Sequence, residues 1–338
     1  MKPYITFCIP SYNSEGFLHY ALDSLISGEN IEVLIIDDGS KDGTLKIAQE
    51  YEAKYPAIFK AVHQENKGHG GAINTALSMA NGTYFKVLDS DDWVDEEALK
   101  ACLDYIKTHN DEADLILMDY VYWQGREHRS TRIHFNHYFK PNEPLELKEV
   151  KHHFKIKDNI TLHSAMYKTE VVRKSGVVLP EHCSYEDNLF VYSPLPYVDR
   201  IAYLPVGFYQ YLIGRPGQSM TNETMRRKYK DFILCGKAVF DSCDIMQYKK
   251  TDKARYRIMR HHLILNCLLV PFHCQLNGSK EAIKAMREFL AYMKGKNKKQ
   301  YRMLRHTIRI NGLCHHGAIG RWLVHFWDWA AHKVVKFS

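Results

Sequence analysis

Three short polar clusters in the first hundred residues carry side chains suited to chemistry. Asp89-Ser90-Asp91-Asp92 sets carboxylates at spacing i, i+2, and such a pair beyond a strand can chelate one hard divalent cation. Mg2+ or Mn2+ held there would neutralise the charge that builds on a departing diphosphate. The same residues also suit a solvated loop capping a helix that opens at Glu96. Asp37-Asp38-Gly39-Ser40 offers a carboxylate for a base N–H or ribose hydroxyls, and Gly39 permits close backbone approach. A tight turn with a helix cap is the alternative. Asn66-Lys67-Gly68-His69-Gly70-Gly71 is a Gly-rich loop entering a helix, a setting for an anion or a nucleotide. It lacks the GxxxxGK[ST] pattern of an ATP-type loop, and a plain turn explains it too.

The elements that must position these clusters alternate. Apolar runs at 5–9, 31–36, 59–63, 83–88 and 114–120 predict strands, and helical spacing appears at 17–26, 44–55, 71–80 and 96–107. Ser40 or Asp42 can cap the second helix. Buried strands alternating with helices predict an α/β fold, a mostly parallel central sheet with helices on both faces. Ligands of such sheets sit at the carboxyl ends of the strands. Pro10-Ser11-Tyr12-Asn13, Asp37 to Ser40 and Asp89 to Asp92 all fall there. Thr161 to Tyr167 predicts a further strand carrying His163, which is expected to be a satisfied structural histidine.

The ordered set resembles the family 2 glycosyltransferases of the GT-A, nucleotide-diphospho-sugar transferase fold. The matching segments are Pro10 to Asn13, Val33 to Thr44, Asn66 to Asn74 and Asp89 to Trp93. The resemblance extends over roughly residues 1–220 and implies a UDP-sugar donor. Pro10, Tyr12, Asn13 and Asp38 would lie around a uracil-type base, with Lys67 and Gly70 beside it. Asp89 and Ser90 would contact the donor, and Asp91 would be the principal metal ligand. It also directs attention to Tyr185-Glu186-Asp187. In inverting members the Asp is the general base, a role that a carboxylate facing the anomeric carbon can fill. On sequence alone, Glu186-Asp187 reads as a cap for a helix over 188–192. Tyr211, Arg215 and Gln218 resemble the loop that closes over the diphosphate, where the planar fork of Arg215 suits phosphate oxygens.

After Thr221 the texture changes to long helical stretches, 225–243, 253–269, 281–294, 301–310 and 319–335. The expected division is a catalytic domain at 1–221 and a C-terminal helical extension at 222–338. The net charge of +7 is uneven. Residues 289–338 hold ten Lys/Arg against Asp328 alone, a net +9 that leaves −2 for the first 288 residues. Trp322, Phe326, Trp327 and Trp329 make the final stretch aromatic. A basic segment beside such a helix suits an anionic membrane surface. Packing on the protein and homodimerisation are the alternatives; nucleic acid is not expected, because no recognition module accompanies the charge.

The eight Cys are scattered without a CxxC pair, which predicts reduced thiols rather than a disulfide or zinc framework. No signal-peptide pattern precedes the first strand and no window is apolar enough to span a bilayer. The expected location is cytoplasmic, peripheral on the inner face of the membrane if the tail docks there. The expected activity is transfer of a hexose or N-acetylhexosamine from a UDP-sugar to a hydroxyl of a glycan or lipid-linked acceptor. Two rival readings are a phosphotransfer protein built on Asp37 and Asp38, and a catalytically degenerate binding protein acting through its helical tail.

Overall fold

The computed structural model describes residues 2–109, 112–124, 129–150, 159–213 and 222–310, together with Val324. The chain divides into two compact units, Met1–Arg215 and Pro216–Ser338. In chain order the first unit opens β1 (Ile5–Ser11), α1 (Leu18–Asp23), β2 (Ile31–Asp37), α2 (Thr44–Lys54), β3 (Phe59–His63) and α3 (Gly68–Met79). It continues β4 (Tyr84–Val87), β5 (Trp93–Val94), α4 (Glu96–Thr108), β6 (Leu115–Gln124), β7 (Arg129–Ile133), β8 (Leu145–Glu146) and β9 (Ala165–Lys168). Two short helices, α5 (Thr169–Lys174) and α6 (Asp187–Tyr192), precede the long β10 (Arg200–Ile213).

The strand order is β3-β2-β1-β4-β9-β6-β10-β5, with β7 on β6 and β8 on β10. Strands β3, β2, β1 and β4 are parallel, β9 is antiparallel to β4 and β6, and β6 and β10 are parallel again. All seven residues of β1 are buried, as a strand covered on both faces requires. Phe7, Ile9, Val33, Ile35 and Phe85 have essentially no exposure, and each such side chain contributes about 1.5–3 kcal/mol through burial. The carboxyl ends of β1, β2 and β4 therefore lie side by side, with Ser11 opposite Asp37.

Three local expectations change. Asp95, not Asp92, caps α4, accepting from the Ala98 N–H at 2.9 Å; Asp92 is fully buried instead. Residues 162–164 form a turn before β9, so His163 sits on a turn and not within a strand. The long β10 has no counterpart in the predicted elements.

The second unit is helical: α7 (Asn222–Arg227), α8 (Tyr229–Ser242), α9 (Tyr248–Thr251), α10 (Lys253–Asn277), α11 (Lys280–Lys296) and α12 (Lys298–Ile310). Gly236 permits close packing of α8 on α10, since a Cβ there would meet Val270 Cγ2 at 2.6 Å. The expected helix at 319–335 lies outside the described residues. No helix among the described residues is long and apolar enough to cross a membrane. The seven described cysteines are buried and unbridged.

Candidate active site

Strand β4 delivers Asp89 and Asp92 to the sheet edge, where the Tyr209 hydroxyl of β10 organises them. It donates to Asp92 Oδ2 at 2.7 Å and lies 3.2 Å from Asp89 Oδ2, while accepting from the Asp89 N–H at 3.1 Å. The other Asp92 oxygen accepts from the Leu212 N–H at 3.1 Å. Burial and then the Asp89 charge push Asp92 well above the usual carboxylate range. Burial would raise Asp89 as well, yet the His69 hydrogen bond and charge hold it down at about 2. Asp89 is the ionised member of the pair.

His163 joins them: one ligand atom each from Asp89, Asp92 and His163 lie within 4.8 Å of one another. Its ring stacks on Tyr211 at 4.7 Å and meets Tyr209 edge-on, also at 4.7 Å. Burial lowers its pKa to about 4, leaving a neutral imidazole, and buried Nδ1 has no hydrogen-bond partner among the described residues. A neutral imidazole with an unused nitrogen, beside the Asp89 carboxylate and the Asp92 carboxyl group, fits a divalent cation, whose charge favours ionisation of both acids. The structure thus brings His163 to Asp89, whereas Asp91 stays half-buried outside this group.

The turn presenting His163 is fixed by a buried cation. Lys86, fully buried in β4, donates to the carbonyls of Leu162 and His163 at 2.7 Å and of Ala165 at 3.1 Å. Burial lowers its pKa to about 7, but three carbonyl acceptors match the three donors of an ammonium.

The Gly-rich loop is tied to Asp38 on one side and to residues 179–186 on the other. Asp38, 2% exposed, accepts from Gln64 Nε2 at 2.7 Å and from the Lys67 and Gly68 N–H groups, both at 2.8 Å. Asp37 holds His63 Nδ1 at 2.6 Å. Gly68, at φ +76°, and Gly70 press the start of α3 against residues 179–186. A Cβ on Gly68 would lie 2.9 Å from the His182 nitrogen, and one on Gly70 2.7 Å from the Pro180 oxygen. Asn74 clamps Leu179 with two hydrogen bonds, at 2.8 and 3.0 Å. Gly70 is buried under that loop, so its place is close packing and not an open ligand surface.

The loop so docked carries Glu186 and Asp187. The Glu186 side chain makes no cap hydrogen bond to α6. It accepts instead from His69 Nδ1 at 2.6 Å, while His69 Nε2 reaches Asp89 Oδ1 at 2.9 Å. Burial alone would lower the His69 pKa, but the hydrogen bonds to the two carboxylates raise it well above 6.5. Asp187 is pushed up to about 6 by burial and by Glu186. A carboxylate poised there can accept a proton near neutral pH.

Of the remaining expected residues, Tyr12 is 52% exposed beyond buried Pro10. Asn13 clamps the 40–41 turn through Ser40 Oγ and the Lys41 N–H. The Ser90 and Ser14 hydroxyls are 2.7 Å apart, and exposed Lys67 lies 4.0 Å from Glu181. Arg215 and Gln218 lie outside the described residues. His69, Lys86 and Tyr209 went unrecognised in the sequence: their partners are distant along the chain, and no spacing signals them.

Fold and site together define an α/β transferase, with acids at strand ends and a raised carboxylate on a loop docked beside them. Residues 6–176 match the family model "Glycosyl transferase family 2", and the chain belongs to that family. EpsJ of Bacillus subtilis, an uncharacterized glycosyltransferase, is 26% identical over 86% of this chain and 85% of its own length. The glycosyltransferase EpsH of the same organism is 36% identical over 35% of this chain, which spans 34% of it. The Staphylococcus aureus poly(ribitol-phosphate) beta-N-acetylglucosaminyltransferase TarS is 28% identical over 63% of this chain and 36% of its own length. Residues 1–349 of TarS, solved with UDP-GlcNAc, superpose with TM-score 0.59 at 21% identity, covering 90% of this chain and 91% of that one. This structural likeness establishes the GT-A fold.

Proposed function

We propose that this transferase moves a hexose or N-acetylhexosamine from a UDP-sugar to a hydroxyl of a glycan or lipid-linked saccharide of the bacterial surface. The observation that carries the reading is the convergence of Asp89, Asp92 and His163 with Glu186–Asp187 through one shared histidine. TarS acts on poly(ribitol-phosphate) and was solved with UDP-GlcNAc, which supports a nucleotide-sugar donor and a surface-polymer acceptor.

Tyr12, exposed at the end of β1, offers a ring face to the base; Pro10, Asn13, Asp38 and Lys67 frame that end. Gly70 serves by packing. Asp89 and Ser90 face the donor, and Arg215 and Gln218 would supply hydrogen bonds to the diphosphate. Mn2+ or Mg2+ would be held by Asp89 with His163 and Asp92 or Asp91, and when bound supplies positive charge against the diphosphate. Asp187 accepts the proton of the acceptor hydroxyl. The hydroxyl oxygen then attacks the anomeric carbon as the bond to the diphosphate breaks, and UDP leaves with the bonding pair. Attack from the side opposite UDP inverts the configuration.

The test is thermal shift with UDP, with and without Mn2+. A ligand at one hundred times its Kd stabilises by about 2.7 kcal/mol, so Tm should rise by several degrees with both present. No shift with UDP, while GDP shifts Tm, would overturn the uridine assignment. The basic α12, with Arg302 and Arg305 exposed, supports peripheral docking on anionic lipid. Flotation with phosphatidylserine vesicles should be lost on deleting residues 298–338; unchanged flotation removes the idea.

A further inference from the structure

His69 touches both halves of the site. Its Nε2 meets Asp89, 20 residues on, at 2.9 Å, and its Nδ1 meets Glu186, 117 residues on, at 2.6 Å. One ring thus bridges two carboxyl groups that belong to distant segments of the chain. The backbone that carries the ring is closely packed. It sits on the first turn of α3, between Gly68 and Gly70, whose close approach to His182 and Pro180 leaves no room for a Cβ. Glu186 is 3% exposed and begins the helix whose first residue is Asp187.

We infer that His69 is a positioning residue that sets the donor-side carboxylate and the base-bearing turn together. It holds Asp89 Oδ1 in place and, through Glu186, fixes where α6 starts. The inference rests on the reading of Asp89 as a donor contact and Asp187 as the base. Loss of the ring removes a partner from both carboxyl groups at once, so donor affinity and turnover should change together.

The experiment measures UDP-GlcNAc hydrolysis with Mn2+, water serving as acceptor, for the wild type and His69→Gly. Supporting carboxylate–imidazole contacts of this kind typically contribute about 10- to 100-fold. The variant should therefore show a raised KM for UDP-GlcNAc and a kcat lower by about that factor. Added imidazole, which offers one nitrogen to each carboxyl group, should restore part of both. N-methylimidazole binds Mn2+ as well but has one nitrogen blocked by the methyl group, and should not. Kinetics within threefold of the wild type, or equal rescue by the two compounds, would overturn the inference, as would a loss that imidazole leaves unchanged at wild-type Tm. If the glycine variant does not fold, His69→Gln takes its place; its amide cannot span both carboxylates, so wild-type kinetics there would overturn it too. A wild type that neither responds to UDP nor hydrolyses UDP-GlcNAc removes the donor reading and this inference with it. An active wild type with an unaffected variant removes this inference alone.

Discussion

Asp187 shows how one side chain's surroundings set its chemistry. Burial raises its pKa first and the neighbouring Glu186 charge second, to about 6, while the His69 charge pulls the other way. A base must be ionised to work, so kcat should fall about tenfold per pH unit below pH 6 and level off above it. Asp187→Asn should remove the acceptor-dependent rate without lowering the UDP-induced rise in Tm. A kcat that stays flat from pH 7 down to pH 4.5 would show that another group takes the proton. The sequence drew attention to Asp187 only through the order of motifs around it. Its raised pKa was not legible there, because burial and the Glu186–His69 contact arise only when residues 68–70 meet residues 179–186.

Elements account for the rest of what was and was not legible. Strands β1, β2 and β4 announce themselves as apolar runs, because a parallel strand covered on both faces needs apolar residues throughout. Strand β10 does not: Pro205 and Gly207 break its sequence pattern. In the structure they fall where the β6–β10 register shifts, between Leu204 and Gly207 and again before Tyr209. Irregular pairing tolerates both residue types there. The helix α3 carries contacts that its sequence does not announce. Its Gly and Asn residues resemble a ligand cradle, and in the structure Gly70 and Asn74 dock the loop that carries Glu186 and Asp187. Asn74→Ala leaves the Leu179 N–H and carbonyl without their partners, a cost of about 1–3 kcal/mol if they stay buried. Tm should drop by a few degrees, and kcat should fall more than UDP affinity. Equal losses in both would mean that α3 supports the donor and not the base.

At the scale of the whole molecule, the chemistry described lies in the first unit, while the second holds two buried histidines that bear on stability. His262 and His273 are 1% and 4% exposed, and His262 Nε2 and His273 Nδ1 find no hydrogen-bond partner among the described residues. His273 stacks flat on Phe232 at 3.9 Å. Burial, joined for His262 by the neighbouring His261, lowers their pKa values to about 3 and about 4. In the unfolded chain both titrate near 6.5, so between there and about pH 4 the unfolded state binds more protons than the folded one. Their contribution is then fully present above about pH 6.5 and is lost as pH falls. Each histidine costs about 1.4 kcal/mol per pH unit in that window. Urea unfolding followed by helical circular dichroism should show a marked fall in midpoint from pH 7 to pH 5. His262→Gln, with one titrating group fewer, should lose less over the same interval. An equal fall in both proteins would place the acid sensitivity elsewhere, and a midpoint that rises on acidification would exclude neutral burial of these two rings.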